Sequence, residues 1–121
     1  MGPFKDGWTE TDVEEVLDRA DPKELCVVPI VITNLGPPDF KWAEDICIRL
    51  AAHPDPNVRG NAIVAFGYLA RTCGKVTRVV IEPIVSAGLS DPDLYVRQHA
   101  GDAADDIENY LGWRPAPPKS K

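Results

Sequence analysis

Two histidines and three cysteines are the side chains of this 121-residue chain best suited to binding a metal or attacking a substrate, and their spacing suits neither role. His53 precedes Pro54 and His99 precedes Ala100, with no His-Glu pair and no HExxH spacing, so no metal centre is expected. Cys26, Cys47 and Cys73 are odd in number, far apart and set in apolar helical contexts. They read as buried reduced thiols, with no disulfide framework and no CxxC site. The sequence also lacks GxSxG, a phosphate-binding glycine loop and a Cys-His pairing that its repeat would bring together. The expectation is a non-catalytic protein with no catalytic residue, no metal and no cofactor.

Charge points to the kind of partner. Asp and Glu number 19 against 13 Lys and Arg, a formal net charge of −6. Attraction to phosphate backbones or anionic lipid comes mostly from Lys and Arg, so neither nucleic acid nor a membrane is expected, and a protein with a basic surface is the better match. A hydrophobic content of 44% is enough for one core and one domain. No apolar stretch approaches the roughly 20 residues that span a bilayer, and residues 1–6 lack the pattern of a signal peptide. A cytoplasmic protein, monomeric when free, is expected.

The elements that would position a binding surface emerge from a self-comparison. Residues 54–62 lie over residues 92–100 at a constant offset of 38, with Pro, Asp, Val, Arg and Ala coincident. An offset of that size is what two helices and two turns require. Asp55 can cap a helix whose first turn holds Pro56; in the second copy either Asp91 with Pro92 or Asp93 can do so. Val58, Ala62, Phe66 and Leu69 then recur at helical spacing, as do Val96, Ala100, Ala104, Ile107 and Leu111. Each series marks a buried face.

Working outwards, the spacing predicts six helices. They cover 11–20, with Thr11 and Glu14 as a capping box, 22–34 behind Asp21, 40–52 behind Asp39, 57–72 stopped at Gly74, 76–88, and 94–111. Pro29 and Pro83 fall inside two of them and should kink each rod. Residues 26–33 and 76–81 are rich in Val and Ile, but proline and the missing period-2 alternation argue against strands. Residues 114–121 have no apolar face and read as an extended or disordered, proline-rich tail.

The string from Asp55 to Ala62, with Asp93-Leu94-Tyr95-Val96-Arg97-Gln98-His99-Ala100, resembles the HEAT repeat family. The resemblance implies an all-α fold, a short right-handed α-α superhelix of three helical hairpins near 9–35, 39–73 and 75–112, in a domain covering 1–113. It is specific for the second and third hairpins. In the first, Asp21-Pro22-Lys23-Glu24-Leu25-Cys26 keeps the cap but has Cys where Arg would stand. By the resemblance Asp55, Arg59, Asp93 and Arg97 are structural residues that bond between repeats. Metal-dependent hydroxylases and DNA glycosylases exist among HEAT-like proteins, but the former need His-Glu pairs and the latter a long basic groove. Small acidic binders resemble immunity proteins, which inhibit bacterial toxin domains; a regulatory adaptor or a subunit of a larger assembly is the alternative.

The candidate partner-binding surface is the side of the second helices turned from the core. One helix presents Asn57, Asn61, Val64, Tyr68 and Arg71; shifting the last four by 38 gives His99, Asp102, Asp106 and Asn109. Asn61, Tyr68, His99, Asp102, Asp106 and Asn109 are therefore the expected partner-binding residues, with Asp105 and Glu108 adding negative charge. An aromatic anchor beside carboxylates suits a protein interface. Trp8 and Trp42 are expected in the core or at caps, and Trp113 over the end of the stack or against a partner.

Overall fold

Capping chemistry starts nearly every helix of this chain, and proline decides where one of them breaks. The computed structural model describes residue 2 and residues 4–118. After a 3-10 turn at Lys5–Gly7, α1 spans Glu10–Arg19, the single turn α2 Pro22–Leu25, α3 Val28–Thr33, α4 Phe40–Leu50, α5 Pro56–Cys73, α6 Arg78–Gly88 and α7 Leu94–Leu111. The fold is all-helical, with no strand among the described residues. No described helix is long and apolar enough to cross a membrane.

The α1 capping box falls two residues earlier than the sequence suggested. Thr9 Oγ1 accepts from the Asp12 amide at 3.2 Å, and Asp12 Oδ2 accepts from the Thr9 amide at 2.8 Å. Glu14 is engaged elsewhere, accepting Trp42 Nε1 at 3.0 Å, while the Trp42 ring stacks on Phe4 at 5.6 Å. The helix expected over 22–34 is two pieces, broken at Cys26 and Val27. Pro29 has no N–H to offer the carbonyl four residues back, so the chain restarts with Pro29 in the first turn of α3, where that loss is harmless. Pro83, by contrast, is carried inside a continuous α6.

The core follows the predicted series. Val58, Ala62, Phe66, Leu69, Val96, Ala100, Ala104 and Ile107 are fully buried, and Leu111 packs partly against them. Val64, placed by spacing on the outer side, is buried as well, because α5 is flanked by α3 on one side and α7 on the other. Further contacts join α4 to α5 and α6 to α7, so two hairpins stack through α5 and α7.

Close approach of α5 and α7 depends on two glycines. A Cβ on Gly60 would lie 2.8 Å from Tyr95 Cδ2, and one on Gly67 would lie 2.8 Å from Asp106 Oδ2 and 3.2 Å from Ala103 Cα. Past the left-handed Gly112, residues 113–118 form no regular element but contact α6 and α7 through Trp113, Arg114 and Ala116. In this stretch, expected to be extended or disordered, Pro115 is buried and Arg114 Nη1 bonds Asp105 Oδ1 at 2.7 Å. Residues 119–121 lie outside the described residues.

Candidate functional site

Repeat geometry fixes the frame of the site. Asp55 Oδ1 accepts from the Asn57 amide at 2.8 Å, and Asp93 Oδ1 accepts from the Tyr95 amide at 2.8 Å, which settles Asp93 over Asp91 as the α7 cap. Arg59 Nη1 donates to the carbonyls of His53 and Pro54, and Arg97 Nη1 to those of Asp91 and Pro92. Every partner moves with the 38-residue offset. Asp91 joins the two units, because its oxygens take Arg59 Nε at 2.8 Å and Nη2 at 2.9 Å, and accept the Asp93 amide at 2.9 Å. In the preceding unit His53 Nδ1 accepts the Asp55 amide at 3.0 Å in the same register. The Arg59 guanidinium holds the Asp91 carboxyl below its ordinary range.

A second set of bonds ties α3, α5 and α7 into one face. Asn61 Nδ2 donates to the Cys26 carbonyl at 2.7 Å, at the break before α3, while Asn61 Oδ1 accepts the Tyr95 hydroxyl at 2.5 Å. Arg71 Nη2 donates to the Asn34 carbonyl at 3.2 Å, and the Arg71 Cζ lies 5.1 Å from the centroid of the Tyr68 ring. Asn61, expected to meet a partner, is thus engaged within the fold. Tyr95 is the residue the sequence reading missed; the offset that maps Asn57 onto Tyr95 was the signal available.

The remaining expected residues present their groups from this frame. His99 stacks on Tyr95 with ring centroids 3.9 Å apart, and its Nδ1 lies 2.9 Å from the Tyr95 carbonyl oxygen. A carbonyl oxygen only accepts, so Nδ1 carries a proton. Tyr68 is half-buried, whereas Asp102 and Asn109 are exposed. Asp106 is half-buried at the α5–α7 seam, against Gly67. Burial raises its pKa, with Asp102 and Asp105 adding to the rise and Arg71 opposing it. Among the described residues it receives no hydrogen bond, so its oxygens depend on solvent or on a partner.

No family model, curated protein or solved structure matches this chain. What the site can do therefore rests on its own chemistry. Among the described residues no three His, Cys, Asp or Glu side chains stand together in a way that could hold a metal ion. Cys47 is fully buried, and burial pushes its thiol pKa strongly up, while Cys26 and Cys73 are half-buried. An apolar groove beside α6, walled by Ile63, Pro83, Ile84 and Ala87, has the Arg59–Asp91 pair at one side, and those charges already satisfy each other.

One buried carboxylate serves the scaffold instead. Glu44, with no exposed surface, accepts the Thr77 amide at 2.7 Å and the Thr77 hydroxyl at 2.6 Å. It caps α6 from the preceding hairpin and explains why that helix starts at Arg78 and not near residue 76. Nothing in the local sequence around either residue signals a pairing across 33 positions.

Proposed function

We propose that this chain is a HEAT-like, non-catalytic binding module whose second-helix face docks a protein with a basic surface. The HEAT-like reading is supported by the arginine and aspartate bonds that recur at the 38-residue offset. The binding reading is carried by Asp106, a half-buried carboxylate with a raised pKa and no donor among the described residues. A carboxylate drawn partly out of water and given no hydrogen bond gains most from a cation brought by a partner. Tyr68 supplies an aromatic anchor on the same face, and the exposed Asp102 extends the acidic row along α7. An immunity-type role, in which this face covers a basic toxin domain, is one form of the same chemistry.

The test is affinity capture with three full-length proteins of equal circular dichroism. They are the wild type, the double reversal Asp102→Lys with Asp106→Lys, and a control reversal on α1, Glu15→Lys with Asp18→Lys. One stoichiometric partner kept by the control and lost by the Asp102/Asp106 variant supports the face. Loss in neither variant, or equally in both, removes it.

A further inference from the structure

The outer sides of α3, α5 and α7 differ in chemistry from one helix to the next. Between residues 26 and 34 only Cys26, Val27, Ile30 and Asn34 keep surface, Val27 with 42% of its area, and the other five are buried. At helical spacing those four positions form a single exposed arc. Both ends of the arc are tied to α5, the Cys26 carbonyl by Asn61 and Asn34 by Arg71, so the arc opens on the same side as the outer residues of α5. It carries no charged group. On α7 the outer residues are His99, Asp102, Asp106 and Asn109, with the carboxylates in the middle. An apolar column and an acidic column thus flank α5, which carries the half-buried Tyr68 between them.

The spacing of the columns selects the form of a ligand. The three helices run the same way, since Asn61 meets Cys26 and Tyr95 near their starts and Arg71 meets Asn34 further on. Along α7, the row from His99 to Asn109 covers about 15 Å, with a side chain about every 5.4 Å. A partner helix laid along α5 presents flank residues at that same interval and stays in step with both columns. An extended segment presents same-side residues about 6.7 Å apart and slips by about 4 Å over three turns. Charge then sorts the two flanks. Arg71, bonded to Asn34, puts its positive charge toward α3, which leaves the α7 side for a partner's cations. Apolar side chains over Val27 and Ile30 would take that surface out of water.

We infer that the α3–α5–α7 face takes an amphipathic helix of a partner protein, with lysine or arginine along the flank that meets Asp102 and Asp106 and apolar side chains along the flank that meets Val27 and Ile30. This rests on the proposed role of the Asp106 face and adds to it the form of the partner and the apolar half of the surface. A purely basic or a purely apolar segment satisfies only one column.

The experiment titrates the full chain with three labelled peptides of about three turns each, followed by anisotropy and by the resonances of α3 and α7. One is a leucine-lysine peptide of helical period, the second has the same composition in alternating order, and the third is oligolysine. The expected result is saturable binding of the first, at least about tenfold tighter than of the other two, with shifts at Val27 and Ile30 as well as at Asp102 and Asp106. Val27→Ser, at an exposed position, should weaken the first peptide several-fold and leave oligolysine unchanged, whereas Asp102→Lys should weaken both. Equal affinity for the helical-period and alternating peptides, or indifference to Val27→Ser, would overturn the amphipathic partner; shifts that persist at Asp102 and Asp106 in that case leave the Asp106 face standing. Shifts centred on Glu15 and Asp18 of α1, or no binding by any of the three, overturn both.

Discussion

Arg59 grips Asp91 across 32 residues of sequence through two parallel bonds, Nε at 2.8 Å and Nη2 at 2.9 Å, while its third nitrogen holds two carbonyls of its own unit. Arg97 makes the same carbonyl bonds at the end of the repeat, but no carboxylate bond to it is present among the described residues. The two arginines therefore separate the cap-loop role from the role between units.

Arg59→Ala should cost about 3 kcal/mol in urea unfolding, because it strands a largely covered carboxylate and frees two carbonyls. Arg97→Ala should cost under about 1 kcal/mol, its side chain being exposed. Equal losses would refute the division. The Asp91 pKa is lowered in the folded state, first by the Arg59 bond. Its contribution is therefore present above the ordinary carboxylate value of 3.8 and lost as pH falls through the lower folded value. Arg59→Ala should erase that part of the acid transition.

The glycines of the paired helices should respond with opposite signs. Alanine ordinarily favours a helix by about 1 kcal/mol over glycine. At Gly60 and Gly67 the new Cβ meets the Tyr95 ring or the Asp106 side chain under 3.0 Å, so net destabilisation by about 1–2 kcal/mol is expected. At Gly101 nothing lies within 4 Å, and Gly101→Ala should stabilise by about 0.5–1 kcal/mol. Thermal unfolding of the three single variants checks the ordering, and a destabilised Gly101→Ala would contradict the packing described.

Glu44 and Thr77 should behave as one unit. Glu44→Ala removes the α6 cap and leaves a cavity, at a cost of about 3 kcal/mol, and Thr77→Ala should cost about 1–2 kcal/mol by leaving the carboxylate short of a donor. The double variant should lose clearly less than the sum, which a double-mutant cycle in urea measures. Additivity would mean the two do not act together.

Asp106→Asn should stabilise the free protein at pH 7 while weakening the proposed partner complex. Burial raises the folded pKa of Asp106 above 3.8, so its charged form opposes folding at neutral pH. That penalty fades as pH falls through the folded value, and the gain from the substitution should fade with it. Comparing urea midpoints at pH 7 and pH 4 tests the sign; a variant less stable at pH 7 would show that the carboxylate is satisfied in the free fold. A drop in partner affinity with rising stability is the signature of a group kept for binding.

Much of the scaffold was legible in the sequence because helix starts and buried faces are local. Asp39, Asp55, Gly74 and the Val58 to Leu69 series each act within a few residues of themselves, and the structure keeps them. The 38-residue offset likewise announced a repeated unit, and Arg59 and Arg97 repeat their carbonyl bonds at that offset. The positions read differently have either a local cause, as at Pro29, which splits the helix expected over 22–34, or a distant partner. Thr9, not Thr11, caps α1 while Glu14 is bonded to Trp42, and Glu44 reaches Thr77 across 33 positions.

The chain's composition and spacing determined an all-helical body with an acidic outer stripe, since periodicity and capping depend on covalent neighbours. Only the tertiary structure decided which polar groups remain available. Asn61 was drawn into the tie between Cys26 and Tyr95, and Asp106 was left at the seam beside Gly67 without a donor among the described residues. Hydrogen-bond satisfaction is a property of three-dimensional neighbours, set by how closely α3, α5 and α7 approach, and no one-dimensional spacing encodes it.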